Sequence, residues 1–265
     1  MADLIRKATA ALIAAAHDRQ PIAPMAVDFG ERADVDTAYA IQDEVTKEAI
    51  LQGRRPVGRK IGLTSAAVQA QMGVDQPDYG MLFADMEYAD GATIPAGFLI
   101  QPKVEAEIAF VLGEDLTNVD VTTAQLIGAI DYALPAIEIV DSRIVDWKIG
   151  IFDTIADNAS SGLYVLGSRP VKLADFDVRL CGMVMERAGQ AVSFGVGAAC
   201  MGNPLISSLW LARRMAQVGR PLCKGNVILS GALGPMVAAH PGDTFRVSIN
   251  GLGEVNTQFA EGEDQ

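Results

Sequence analysis

Basic charge is scarce in this chain. Only 21 Lys and Arg stand against 33 Asp and Glu, giving a formal net charge of -12 at pH 7 over 265 residues. That balance excludes nucleic acid and anionic membrane surfaces as partners, since both are recognised through basic patches. Histidine is nearly absent. His17 falls on an expected N-terminal helix and His240 precedes a Pro-Gly turn; neither has a partner in view for Ser-His-Asp chemistry. Cys181, Cys200 and Cys223 are widely spaced with no C-x-x-C pair, which argues against a disulfide framework or a zinc site and suits a reducing cytoplasm. No apolar run reaches the ~18 uncharged residues of a membrane span. An Ala-rich stretch does follow Lys7, but Asp3 spoils the basic region that a signal peptide needs. A cytoplasmic protein is expected.

Half of the residues are hydrophobic, enough to bury a full core as one large domain with a small appendage. Helical spacing is expected over residues 3–18, with Asp3 as cap, and from Asp36 or Thr37 to Leu51, closed by Gly53. Arg54-Arg55-Pro56 marks a boundary, dividing the chain into a helical segment, 1–55, and a β-rich domain, 56–265. Beyond it, Gly58–Leu63 reads as a strand and Thr64 or Ser65 as the cap of a short helix to Met72. Asp75–Gly80 reads as a loop, and Thr122 caps a helix to about Asp131. Asp157–Gly162 forms a small polar cluster before a strand at Leu163–Leu166. Asn203-Pro204 opens a helix to Gln217, and strands follow at Val227–Ser230, Thr244–Ile249 and Glu254–Phe259, the last two joined across Asn250-Gly251. Gly195-Val196-Gly197 lacks the strand-turn-helix setting of a dinucleotide fingerprint and reads as a tight backbone approach. Trp147 and Trp210 read as core or interface. An α+β fold with a β-rich core is expected, with a frayed tail from Glu261.

Carboxylates stand where apolar residues belong. In Val104-Glu105-Ala106-Glu107-Ile108-Ala109-Phe110-Val111-Leu112 a strand puts Glu105 and Glu107 on one face and Val104, Ala106, Ile108, Phe110 and Leu112 on the other. At ~3.3 Å per residue the two glutamates start about 6.6 Å apart and can converge on one ion. A second apolar run, Pro135-Ala136-Ile137-Glu138-Ile139-Val140, offers a third. Three carboxylates within ~5 Å repel pairwise by roughly 3 kcal/mol at an effective dielectric of 20, so they protonate or bind a cation. Oxygen-only ligands favour Mg²⁺ or Mn²⁺ over zinc. The bland alternative pairs each Glu with Lys or Arg on a solvated face.

Five separated motifs carry a resemblance. Gly58-Arg59-Lys60-Ile61-Gly62-Leu63-Thr64-Ser65, Gln76-Pro77-Asp78-Tyr79-Gly80, Gln101-Pro102-Lys103-Val104-Glu105-Ala106-Glu107-Ile108, Pro135-Ala136-Ile137-Glu138 and Asp153-Thr154-Ile155-Ala156-Asp157-Asn158-Ala159-Ser160 together resemble the 2-keto-4-pentenoate hydratase family of the fumarylacetoacetate hydrolase superfamily. The likeness runs in order from roughly Ala38 to Phe259. It implies a mixed β-sandwich roll of the fumarylacetoacetate hydrolase C-terminal-domain type with an N-terminal helical appendage, a divalent metal, and a homo-oligomer. It carries over Glu105, Glu107 and Glu138 as metal ligands, and Lys60, Asp78 and Ser160 as catalytic pocket residues, with Lys60 and Ser160 binding substrate. On residues alone, Lys60 reads as a strand-end lysine, Asp78 as a turn residue after Pro77, and Ser160 as a cap or turn serine.

The implied reaction is hydration of 2-hydroxypenta-2,4-dienoate to 4-hydroxy-2-oxopentanoate in meta-cleavage of aromatic compounds. Rivals are 4-oxalocrotonate decarboxylase, a hydratase of a larger dicarboxylic dienoate, and a binding subunit of a decarboxylase or aldolase complex. Decarboxylases of the superfamily tend to lack an acid in the Pro-x-Tyr-Gly loop, where this chain has Asp78. A carbon-carbon bond hydrolase needs a histidine base, and none is in view near the glutamate strands.

Overall fold

Two helices open the chain. Helix α1 (Ala2–Asp18) buries Ala8, Leu12 and Ala15 along one stripe. The expected cap at Asp3 is not made. The helix begins at Ala2 without a side-chain cap, and Asp3 sits in its first turn, ion-paired with Arg6 and Lys7. An acid there suits the positive end of the helix dipole. Helix α2 (Val35–Leu51) starts earlier than Asp36 because Asp34 caps it, accepting the Thr37 N–H at 2.7 Å. The computed structural model describes residues 1–65, 69–70 and 74–262. The short helix expected from Thr64 to Met72 therefore lies largely outside the described residues, as does the end of the tail.

The strands that follow are β1 (Pro56–Gly62), β2 (Asp78–Phe83), β3 (Glu87–Ala89), β4 (Thr93–Ile94), β5 (Lys103–Leu112), β6 (Ile130–Val140), β7 (Ser161–Leu166), β8 (Gly182–Arg187), β9 (Gln190–Val196), β10 (Val227–Leu229), β11 (Val237–Ala238), β12 (Thr244–Ile249) and β13 (Gly253–Phe259). The larger sheet runs β2-β1-β10-β5-β6-β7-β3, with β11 added to β5; the smaller runs β4-β13-β12-β8-β9. The two pack through β12 and β13 on β6 and through β13 on β7. Helix α3 (Thr123–Ala129) is opened by a reciprocal Thr122–Gln125 cap. It stops short of Asp131 because β6 takes over at Ile130. Helix α4 (Ile151–Ala156) packs on α2, and α5 (Pro204–Gln217), capped by Asn203 as expected, packs on α3 and β1.

Register decides what shares a face. β5 and β6 are antiparallel, with Glu105 directly opposite Glu138. β1 lies between β10 and β2, with Lys60 beside Leu229 and Gly80 and with Gly62 beside Asp78. Because paired residues point to the same side of a pleated sheet, Lys60, Asp78, Glu105, Glu107 and Glu138 all belong to one face. Ile108, Phe110, Ile137 and Ile139 point the other way and are fully buried. The N-terminal helices are tied to this sheet through Gln42, whose side-chain amide donates to the carbonyls of Tyr79 and Ile155 at 2.9 Å each.

Candidate metal centre

Glu105, Glu107 and Glu138 each offer a carboxylate oxygen within 4.8 Å of the others. Glu107 and Glu138 are buried and Glu105 is partly exposed. Like charges placed directly opposite on neighbouring strands repel, and little here relieves them. Glu107 accepts one hydrogen bond, from the Gly231 N–H to Oε2 at 2.8 Å, while its Oε1 and both oxygens of Glu138 have no hydrogen-bond partner. Lys60 Nζ stands 3.0 Å from Glu138 Oε1; the contact is an ion pair whose angles fall outside those of a hydrogen bond.

Asp78 is not a loop residue, as Pro77 and Gly80 suggested. It opens β2, pairs with Gly62 and is 1 % exposed. The β1–β2 ladder draws it into the sheet. A Cβ on Gly62 would lie 2.2 Å from Asp78 Oδ1 and 3.5 Å from Lys60 Nζ, so the two charged groups meet over the bare face of that glycine. Four carboxylates thus face one ammonium.

The electrostatics follow. Burial pushes the Glu105 carboxyl up to about 7, with Glu138 adding repulsion and Lys60 opposing both. Glu107 is held well above the usual carboxylate range, by burial first and by Glu138 and Glu105 after it. Asp78 is pushed up to about 6 by burial, against the pull of Lys60. For Lys60, burial works to lower the pKa, but Glu138, Asp78, Glu105 and Glu107 outweigh it and hold the ammonium above its ordinary value.

A hard divalent cation fits these residues. The donor set is oxygen only, no cysteine or histidine joins the three glutamates among the described residues, and Glu107 Oε1 and both Glu138 oxygens are buried without a hydrogen-bond partner, with the single Lys60 ammonium beside Glu138. Both histidines are exposed and on other elements.

Ser160 lies on a segment that packs against β1 and β2. Its hydroxyl sits 3.2 Å from that of Thr154, and it is 3 % exposed. Asn158, Ala159 and Ser160 have φ of 53°, 53° and 52°, a left-handed run that costs roughly 1–2 kcal/mol per residue. Sequence reading reached the polar cluster but not this conformation, nor Arg143, which clamps it. Thr64 and Gly231 were also missed as a pair. Gly231 has φ +110° and a Cβ there would stand 2.4 Å from the Thr64 side chain, so only glycine brings its N–H to Glu107.

A family model described as fumarylacetoacetate (FAA) hydrolase C-terminal matches residues 58–260. The 2-keto-4-pentenoate hydratase 1 of Dechloromonas aromatica (strain RCB) is 58 % identical over 258 residues, covering 97 % of this chain and 98 % of that protein. The chain belongs to the 2-keto-4-pentenoate hydratase family. A second family member, the TodF product hydratase of Pseudomonas putida (strain F1), is 59 % identical over 97 % of this chain and 96 % of its own length. Among solved structures, 4-oxalocrotonate decarboxylase from Pseudomonas putida G7, complexed with magnesium and adipate, matches with a TM-score of 0.94 and 36 % identity over 98 % of each chain. The family and the fumarylacetoacetate hydrolase fold expected from the five motifs are thereby borne out. None of the described helices is long and apolar enough to cross a membrane.

Proposed function

We propose that this chain is a metal-dependent hydro-lyase that converts 2-hydroxypenta-2,4-dienoate and water into 4-hydroxy-2-oxopentanoate, in meta-cleavage degradation of aromatic compounds. One observation carries the reading: three glutamates converge beside Lys60 and Asp78 on one sheet face, in a chain 58 % identical over nearly its whole length to a hydratase named for this substrate.

Glu105, Glu107 and Glu138 would hold Mg²⁺ or Mn²⁺. Such an ion supplies Lewis-acid polarisation of the substrate's 2-oxygen and carboxylate. The protein's own groups do the rest. Lys60, buried and kept protonated by its acidic neighbours, pairs with the substrate carboxylate. Tautomerisation moves a proton from the 2-hydroxyl to C5, giving the 2-oxo-3-enoate. Water then adds at C4, and C3 gains a proton. Asp78, its carboxyl brought to about 6 by burial, orients the water and receives its proton, close to the pH at which a general base is most effective. Ser160 donates a hydrogen bond to the substrate.

The test is loss of the dienoate's ultraviolet absorbance on adding purified protein with Mg²⁺ or Mn²⁺. Turnover that persists in chelator, or in Asp78→Asn, would count against this mechanism. The similarity to a decarboxylase at TM-score 0.94 favours a second reading, 4-oxalocrotonate decarboxylation. That reaction has no water to activate and leaves Asp78 without a task; release of CO₂ from 4-oxalocrotonate would support it. The family resemblance also implies a homo-oligomer, which light scattering of the purified protein reads directly.

A further inference from the structure

L-residues visit the left-handed region singly, and a run of three persists only where its surroundings over-determine it. Two side chains do this for Asn158, Ala159 and Ser160. The guanidinium of Arg143 spans the run: Nη1 donates to the Ser161 carbonyl at 2.7 Å and to the Asp141 carbonyl at 2.5 Å, and Nη2 donates to the Asp157 carbonyl at 2.6 Å. Its Nε pairs with Asp157 Oδ1, and its backbone N–H donates to Asp157 Oδ2 at 2.9 Å. One planar fork therefore holds the carbonyls on both sides of the run, together with Asp141, three residues beyond Glu138. From the other side, the Asn158 amide imitates a strand. Its Oδ1 accepts the Met81 N–H at 2.7 Å and its Nδ2 donates to the Met81 carbonyl at 3.0 Å, locking the run to the strand that begins at Asp78. The Ser160 carbonyl, in turn, accepts the Asp141 N–H at 2.9 Å.

We propose that Arg143 is a positioning residue for Ser160: with Asn158 as second anchor, its fork fixes Asp157–Ser161 in the one backbone conformation that keeps the Ser160 hydroxyl at the reaction site. This rests on the reading of Ser160 as a substrate contact. The three carbonyls and one carboxylate take four of the five donors that a guanidinium holds in one rigid plane; a lysine offers a point charge that reaches only some of them. The same contacts hold Asp141 at the end of β6, so Arg143 links the backbone of Ser160 to the strand of Glu138.

A double-mutant cycle separates positioning from bulk stability. Arg143→Lys, Asn158→Ala, Ser160→Ala and the two doubles are compared for kcat, KM, melting temperature and Mg²⁺ affinity, and for Mg²⁺-dependent binding of 2-oxopentanoate, a non-reacting 2-oxo acid. Expected is a kcat reduced at least tenfold in Arg143→Lys, Mg²⁺ affinity within twofold of the wild type, and each double variant no slower than Ser160→Ala alone. Full kcat in Arg143→Lys, or losses that multiply in the doubles, would overturn the proposal. So would Mg²⁺ affinity falling in step with kcat, which would place the effect on Glu138. If Arg143→Lys does not fold, Asn158→Ala decides by the same criteria; failure of both to fold makes the contacts structural and also overturns it. A wild type that binds 2-oxopentanoate without hydrating the dienoate would sink the hydratase reading, while the binding cycle still measures the coupling.

Discussion

The carboxylate of Asp78 occupies the space that a side chain at Gly62 would take, with Oδ1 2.2 Å from where a Cβ would stand. Gly62 is therefore a shape requirement of the site. Gly62→Ala is expected to displace Asp78, to cost about 1–3 kcal/mol of stability through overpacking, and to lower kcat on the order of 100-fold through misplacement of the base. Denaturant unfolding and steady-state kinetics check both numbers. Wild-type kcat in Gly62→Ala would show that Asp78 has no part in the chemistry.

Glu107→Gln should move two quantities in opposite directions. Glutamine retains an oxygen to accept the Gly231 N–H, now made to Glu107 Oε2, and removes one charge from a crowded, buried cluster. The metal-free variant is expected to melt at a higher temperature than the metal-free wild type, while its Mg²⁺ affinity falls at least tenfold by calorimetry. A lower melting temperature together with unchanged affinity would contradict the assignment of Glu107 as a ligand.

These glutamates were legible because a strand's period of two is visible within the nine-residue apolar run Val104–Leu112, and Glu138 stands in an equally apolar stretch. Asp78 was harder to read. Pro77 and Gly80 carry turn chemistry, and the strand behind them, Asp78–Phe83, is buried at every position, so no alternation betrays it. The β8–β9 hairpin was missed for a related reason. Its turn is Ala188-Gly189, with φ of 48° and 77°, and alanine gives no sign of the left-handed turn that an Asn-Gly pair announces. Gly195 and Gly197 did read as close approaches, and Cβ atoms there would lie 1.9 Å from the carbonyls of Leu233 and Val178; they belong to that unseen hairpin and its exit. Arg143 lies in no periodic segment, and beyond the Asp157 carboxylate its partners are the backbone carbonyls of Asp141, Asp157 and Ser161, which a sequence cannot show.

Stability of the metal-free protein should fall as pH rises from about 4 to 8. Glu105 and Asp78 are raised to about 7 and about 6, and Glu107 is held well above the usual carboxylate range, so in this window the folded chain binds more protons than the unfolded one. The slope of unfolding free energy with pH is then negative. Saturating Mg²⁺ replaces those protons, and its stabilising effect is expected to be larger at pH 8 than at pH 5. Thermal melts at the two pH values, with and without Mg²⁺, measure this directly; a Mg²⁺ effect greater at pH 5 would contradict it.

Lys60→Met separates substrate binding from metal binding. Removing the buried ammonium paired with Glu138 makes the cluster more negative, so Mg²⁺ affinity should hold or rise. The metal-free protein should lose about 3–5 kcal/mol, the usual result of breaking a buried ion pair. Turnover should be lost because the substrate carboxylate has no partner. Weaker Mg²⁺ binding in this variant would argue that Lys60 organises the glutamates instead.

Identifying the product by NMR after incubation of 2-hydroxypenta-2,4-dienoate with the purified protein and Mg²⁺, beside a parallel incubation with 4-oxalocrotonate, is the most direct measurement. Expected is 4-hydroxy-2-oxopentanoate, formed only with metal and absent in Glu107→Gln and Asp78→Asn. An unchanged dienoate, with CO₂ released from 4-oxalocrotonate, would contradict the hydratase reading and leave the glutamate cluster serving a different reaction.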